Sequence, residues 1–170
     1  GALYIRSFPR IRLSPLIDGG GQEINLRSGT LPVPLCIGFG EAAKIAKIKL
    51  QSEVKKTKEL RDYFIISMKK KIDNIIINGD MKNRLPANIN FSIPKIKSKK
   101  IIKSLKYTII SSGSACTSSS IDPSYVLSAM GLEKNVVESS LRVGIGRFNT
   151  KVDIDKAVQD IYQTVKSLRN

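Results

Sequence analysis

Apolar positions recur with two different periods along the chain, and each period predicts an element. Ile154, Val158, Ile161, Val165 and Leu168 step by four, three, four and three, the spacing of one helix face. Just ahead of them, Thr150-Lys151-Val152-Asp153 has the form of a capping box, in which a hydroxyl and a carboxylate satisfy two N-terminal amides. Leu60, Phe64, Ile65, Met68 and Ile72 show helical spacing too. They close a long helix predicted from about Leu35 to Ile72, with Gly38 and Gly40 marking a kink. Its middle, Gln51 to Glu59, has Val54 as its only aliphatic, so most of that stretch faces water, with Glu53 to Lys56 and Lys58 on the wet side. Asn88 to Ile93 alternates with period two and reads as a strand ended by Pro94.

Shorter patterns fill the gaps. Ile75-Ile76-Ile77 is an apolar run closed by the turn signal Asn78-Gly79-Asp80. Ser98 is placed to cap a helix running to about Lys106, and Tyr107 to Ile110 reads as a strand. Ser124 to Met130 is a short helix stopped by Gly131, and Leu141 to Ile145 is a further strand. After the long helix the predicted order is strand, strand, helix, strand, short helix, strand, helix. That is an α+β domain with helices covering one face of a sheet. Residues 1 to 34 differ: Ala2 to Arg6 and Ile11 to Leu13 are extended pieces interrupted by Pro9 and Pro15. They lead into a glycine loop, Asp18 to Glu23, that demands unusual backbone angles. This stretch reads as an arm belonging to a different sheet, and 35–170 as the domain. There is no internal repeat.

Composition narrows the chemistry. The 170 residues contain no histidine, so a Ser-His-Asp triad, a Cys-His pair and a His-ligated metal are excluded within the chain. Cys36 and Cys116 are the only cysteines; two thiols make neither a disulfide framework nor a zinc site, and a reducing cytoplasm is the simpler reading. No run approaches the ~18 apolar residues of a membrane span. The net charge of +15 raises a nucleic-acid partner. The lysines are scattered, however, with no Trp and only five Tyr and five Phe, none interleaved with basic runs. Stacking and base readout are therefore weak, and a solvated lysine-rich surface is the favoured reading.

Three places carry candidate chemistry. Ser111-Ser112-Gly113-Ser114-Ala115-Cys116-Thr117-Ser118-Ser119-Ser120 sets one thiol in a loop too rich in Ser and Gly to pack as a strand. A thiol presented on a mobile loop suits a nucleophile or a sulfur carrier, and lacking a histidine its thiolate depends on loop dipoles, lysines or a bound substrate; an exposed thiol without function is the plain alternative. Arg27-Ser28-Gly29-Thr30, ahead of the long helix, suits a phosphate or carboxylate, or is an ordinary helix-entry turn. Arg142, on the strand before Gly146-Arg147-Phe148, is a surface residue, a salt-bridge partner or a bidentate grip on a carboxylate. Cys36, between Leu35 and Ile37 on an apolar helix start, reads as a core residue.

In this order, Gly19-Gly20-Gly21-Gln22-Glu23, Arg27-Ser28-Gly29-Thr30-Leu31-Pro32, Ser111 to Ser118, Pro123-Ser124-Tyr125-Val126-Leu127, Arg142 and Gly146-Arg147-Phe148 resemble the cysteine desulfurases. These are pyridoxal-phosphate enzymes of iron–sulfur cluster assembly, and the likeness is to their housekeeping type. It covers essentially the whole chain and implies the small C-terminal domain of a fold-type I, class V aminotransferase-like transferase, with 1–34 as the trailing arm of the large domain. By the same resemblance Cys116 attacks the sulfur of L-cysteine held on the cofactor, leaves L-alanine, becomes a persulfide and hands the sulfur to an iron–sulfur scaffold protein. No metal site is implied within the chain itself, although the Cys116 persulfide would transiently meet a [2Fe-2S] cluster. Thr30 would donate to the cofactor phosphate of the neighbouring subunit of a homodimer, and Arg142 would bind the substrate carboxylate. The family's cofactor lysine, in a Ser-x-His-Lys context, falls just upstream of the Gly1-Ala2-Leu3-Tyr4 strand. A cytoplasmic chain that is inactive alone is therefore expected. Ile24 departs from the family, which carries Arg there. Two further readings remain: a cofactor-free sulfur-accepting or scaffold-binding module that uses Cys116, and a basic RNA-binding domain.

Overall fold

The computed structural model describes residues 1–9, 11–112 and 124–170. The chain divides into two units, Gly1–Leu50 and Gln51–Asn170, and the division falls inside the longest helix.

In the second unit the sheet comes first. Strands β1 (Ile76–Ile77), β2 (Asn88–Ser92) and β3 (Ser140–Gly144) form an antiparallel sheet in the order β1-β2-β3. The pairs Ile89↔Val143, Asn90↔Arg142, Phe91↔Leu141 and Ser92↔Ser140 fix the register. Period-two alternation sends Ile89, Phe91, Leu141 and Val143 into the core. Against them pack Phe64, Ile65 and Met68 of α2 (Val33–Lys71), Ile101 of α3 (Ser98–Ser104), and Ile154, Val158, Ile161 and Val165 of α6 (Lys151–Arg169). The apolar stripe read from the sequence of α6 is thus its buried face, and the capping box is present, with Asp153 N donating to Thr150 Oγ1 and Thr150 N to Asp153 Oδ2. The fold is α+β, as the order of patterns predicts; α2, α3 and α6 cover one sheet face, and α5 (Lys134–Glu138) covers the other at its Ser92–Ser140 end.

Between β1 and β2 the chain turns at Gly79, whose φ of +80° suits glycine, and the Asp80 carboxylate accepts from the Lys82 and Asn83 amides. α4 (Tyr125–Ala129) begins where expected, with Ser124 Oγ accepting from Leu127 N, and Gly131 follows it at φ +79°. α5 is too short for periodicity to announce.

Several local readings are corrected. Tyr107 to Ile110 is not a strand. Ile109 is fully exposed, and among the described residues the segment itself has no ladder partner; the isolated bridge Ser111↔Arg142 follows just past its end. Ser98 does not cap α3. Lys97 occupies the N-cap position, and Ser98 Oγ donates instead to the Glu138 carbonyl. α2 starts at Val33 and runs as one element through Gly38 and Gly40.

In the first unit Ala2 to Arg6 and Ile11 to Leu13 form no strand, because no described segment pairs with them. The glycine loop leads into a four-residue element, α1 (Gln22–Asn25), that is left-handed: Glu23, Ile24 and Asn25 have φ of 51°, 58° and 60°. That conformation costs L-residues about 1–2 kcal/mol each, and β-branched Ile24 is the most strained of the three. Offsetting contacts close the loop: Gly20 N donates to Ser28 Oγ and Gly29 N to Gln22 Oε1. Cys36 is exposed, contrary to the core reading. Leu35, Ile37 and Phe39 beside it are exposed as well; an apolar helix start is buried only where another element covers it.

Among the described residues no helix is long and apolar enough to cross a membrane. The core assignment predicts that Ile161→Ala, which empties a fully buried position, lowers unfolding stability by about 2–5 kcal/mol. Val152→Ala, on the exposed side of α6, is expected to stay within about 0.5 kcal/mol. Urea unfolding of the two variants checks the assignment.

Candidate functional site

β3 is the strand on which the candidate chemistry converges. In an antiparallel ladder each residue turns its N–H and C=O to one side only. At Arg142 both groups face Ser111: Ser111 N donates to the Arg142 carbonyl at 3.2 Å and Arg142 N to the Ser111 carbonyl at 2.6 Å. Toward β2, Arg142 and Asn90 are therefore the other kind of pair, without backbone bonds between them, and in such pairs the side chains come closest. Their flanking neighbours Leu141 and Val143 are in the core, so Arg142 and Asn90 occupy the opposite face. Ser92 and Ser140 share that face by register. The Arg142 side chain is exposed and has no ion pair or side-chain hydrogen bond among the described residues.

The bridge at Ser111 roots the serine-rich stretch next to Arg142. A second clamp holds the approach to it. The Asp160 carboxylate on α6 accepts from the backbone amides of Lys106 (3.2 Å), Tyr107 (3.0 Å) and Thr108 (2.9 Å). These amides would otherwise lack partners, because the segment is not in the sheet. Burial of Asp160 pushes its carboxyl up, but the donors from Tyr107, Thr108 and Lys106 together outweigh it and hold the group below the ordinary aspartate range. Nearby, Thr164 Oγ1 reaches the Ser104 carbonyl. Sequence reasoning missed Asp160. The signal was there, since Asp160 and Thr164 are four apart and border the apolar stripe, where a polar pair is buried only if bonded.

Beneath the polar face lies a buried network. Asn78 Nδ2 lies within hydrogen-bond reach of Asn90 Oδ1 (2.7 Å), Ser92 Oγ (2.8 Å) and Ser140 Oγ (3.2 Å). Both serine hydroxyls reach the Val136 carbonyl of α5, which ties all three strands to that helix. Arg84 Nη2 bonds the Asn78 carbonyl.

Thr30 is in the first unit. Arg27 Nη1 bonds the carbonyls of Gly29 (2.7 Å) and Thr30 (3.3 Å), and Gly29 has φ +100°. Thr30 is exposed, and neither its N–H nor its hydroxyl donates to any described residue. Two free donors on a turn just ahead of the N-terminus of α2 fit a phosphate group. Arg142 and Thr30 belong to different units, so the site residues the structure brings together are Arg142 and the root of the serine-rich stretch. Cys116 lies outside the described residues.

A cavity of about 1360 Å³ lies between α2 and α6, lined by Tyr63, Ile66, Lys70, Tyr107 and Gln163 among others. Neither Arg142 nor Thr30 lines it, and size alone does not make it the site. No group of three or more His, Cys, Asp or Glu residues is placed to hold a metal among the described residues.

The profile of the aminotransferase class-V family matches residues 1–157, and the chain belongs to that family. It is 47% identical over 170 residues to cysteine desulfurase IscS of Ehrlichia chaffeensis, covering 99% of this chain and 42% of that protein. It is 45% identical to cysteine desulfurase IscS of Rickettsia bellii, covering 100% of this chain and 42% of that one. The fold is similar to the X-ray structure of a NifS-like protein from Rickettsia africae, with a TM-score of 0.79, 27% identity and coverage of 92% of this chain and 41% of that one. The chain thus spans 42% of the length of these curated relatives.

Removing the clamp charge tests its role. Asp160→Asn is expected to lower stability by about 1–3 kcal/mol at neutral pH. A depressed native pKa stabilises above the unfolded value, about 3.9, and that contribution is lost as pH falls through the native value. The gap between the two proteins should hold from pH 7 to pH 5 and shrink below about pH 4, as read by urea unfolding at each pH.

Proposed function

We propose that this chain is the thiol-bearing part of a pyridoxal-phosphate-dependent cysteine desulfurase. Residues 1–34 act as an arm of the larger cofactor domain and 35–170 as the small domain. The observation that carries this reading is the Ser111–Arg142 bridge. It holds Ser111, five residues ahead of Cys116 in the sequence, beside an uncommitted arginine, the group that suits an amino-acid carboxylate.

On this reading the Arg142 guanidinium binds the carboxylate of L-cysteine and fixes where its sulfur lies. The Cys116 thiolate then attacks that sulfur. A sulfur–sulfur bond forms and the substrate carbon–sulfur bond breaks, so a thiol plus L-cysteine yield a persulfide plus L-alanine. Pyridoxal phosphate, when bound, supplies the electron sink for that cleavage. Thr30 offers its free hydroxyl and amide to the cofactor phosphate, in the neighbouring subunit of a homodimer. Cys116 carries its extra sulfur to an iron–sulfur scaffold protein, in a reducing cytoplasm where free thiols persist. The serine-rich composition of its stretch suits a carrier that must travel.

No histidine occurs in the chain, so it holds no lysine in a Ser-x-His-Lys context. With pyridoxal phosphate, L-cysteine and reductant, the chain alone is expected to release no sulfide. Exposed to an active cysteine desulfurase turning over L-cysteine, it is expected to gain one sulfur atom on Cys116 by intact mass, and Cys116→Ser to gain none. Sulfide release by the chain alone would overturn the division of labour. Absence of an adduct on Cys116 would remove that thiol from the sulfur path.

A further inference from the structure

Hydrogen bonds on the sheet face that carries Arg142 bear on how Asn90 is oriented. Asn78, Ser92 and Ser140 are buried, so their protons must go to protein acceptors. Ser140 Oγ lies 2.7 Å and Ser92 Oγ 2.9 Å from the Val136 carbonyl, and the two hydroxyls are 2.8 Å apart. Each serine has one proton, and both protons are taken by this triangle. With both protons in this triangle the serines offer lone pairs to Asn78, which fits the Asn78 amide nitrogen facing them, with Asn78 Oδ1 buried and unpartnered on the other side. That nitrogen also faces the Asn90 side chain at 2.7 Å, so the Asn90 atom there must be its oxygen. The Asn90 amide nitrogen is left on the other side of the carboxamide. It donates to no described residue.

The ladder places that nitrogen beside Arg142. The two residues form the close, non-bonded type of cross-strand pair on the exposed face. No hydrogen bond joins them, as expected of two donors. Two donors from adjacent strands on one face converge on what a carboxylate offers, two oxygens with several lone pairs.

We infer that Asn90 is a second carboxylate-binding residue, its Nδ2 group donating to one oxygen while the Arg142 guanidinium holds the carboxylate from the next strand. The inference rests on the reading that Arg142 binds the substrate carboxylate. Asn78 acts as a positioning residue, because its bond to Asn90 Oδ1 keeps the donor turned to the substrate side. The arrangement discriminates: a carboxylate satisfies both donors, whereas an amine without one leaves both unpaired.

The test is a nuclear magnetic resonance titration of the chain with L-alanine, the carboxylate-bearing product, and with ethylamine, which lacks the carboxylate. L-alanine is expected to shift the Arg142 Nε–H and Asn90 Nδ2 resonances with one dissociation constant, and ethylamine to shift neither. Asn90→Ala should weaken L-alanine binding, read at Arg142, by about tenfold, the loss of one hydrogen bond to a charged group. Asn90→Asp keeps an acceptor for Asn78 but puts a carboxylate beside Arg142, and should weaken binding further. Backbone spectra of β2 and β3 check that both variants fold. An unmoved Arg142 signal in the unaltered chain would overturn the reading of Arg142, and this inference with it. An Arg142 shift whose dissociation constant is unchanged by both substitutions would overturn the role of Asn90 alone.

Discussion

The rest of the second unit depends on the parity of β3. Five residues, Ser140 to Gly144, alternate between the core face and the opposite face, on which Ser140 is buried against α5 and Arg142 is exposed. Leu141 and Val143 are fixed on the dry face by Phe91 and Ile89 opposite them and by α2 and α6 behind. A slip of one residue would bury the Arg142 guanidinium without a partner, a cost that exceeds the gain from any single apolar contact. The hydrophobic core thus decides where the arginine sits, although it never touches it. The same parity turns the Arg142 backbone toward Ser111 and puts its side chain on the face it shares with Asn90. One geometric fact sets the position of the cation, its neighbour on β2 and the root of the thiol-bearing stretch.

The second dependence runs through α6. Its apolar stripe docks the helix on the core, and Asp160 at the border of that stripe reaches the segment that leads to Ser111. A segment without sheet partners would otherwise leave three backbone amides to water. A carboxylate with three donors is a strong local anchor because the charge is shared among aligned dipoles. The approach to the serine-rich stretch is therefore held by a helix whose own position the core determines. The chain therefore reaches Ser111, beside Arg142, from a point that the core fixes.

Much of this was legible in the sequence, and the failures have physical causes. α6, its capping box and both long strands follow from periodicity, because a sheet face or helix stripe against a core leaves a regular pattern. The family motifs singled out Arg142, Thr30 and Cys116, although periodicity alone left Arg142 an ordinary strand residue. Tyr107 to Ile110 misleads because β-branched and aromatic residues report a preference, whereas a strand needs a partner, and here only Ser111 has one. Cys36 misleads for the complementary reason: apolar neighbours imply burial only when something covers them. Asp160 and Asn90 were missed because their roles lie in bonds between residues distant in sequence. An acid at the edge of an apolar stripe and an asparagine on the wet side of a strand carry no local mark of what they bind.

Backbone amide hydrogen exchange tests the parity of β3 most directly. The Arg142 and Ser111 amides are expected to be protected together with those of Leu141 and Val143, because each has its own acceptor, while the exposed Ile109 amide exchanges freely. An Arg142 amide that exchanges as fast as Ile109, with Leu141 and Val143 still protected, would show that β3 ends the ladder on that side. The bridge that holds Ser111 beside the arginine would then be absent, and the placement of the site would be contradicted.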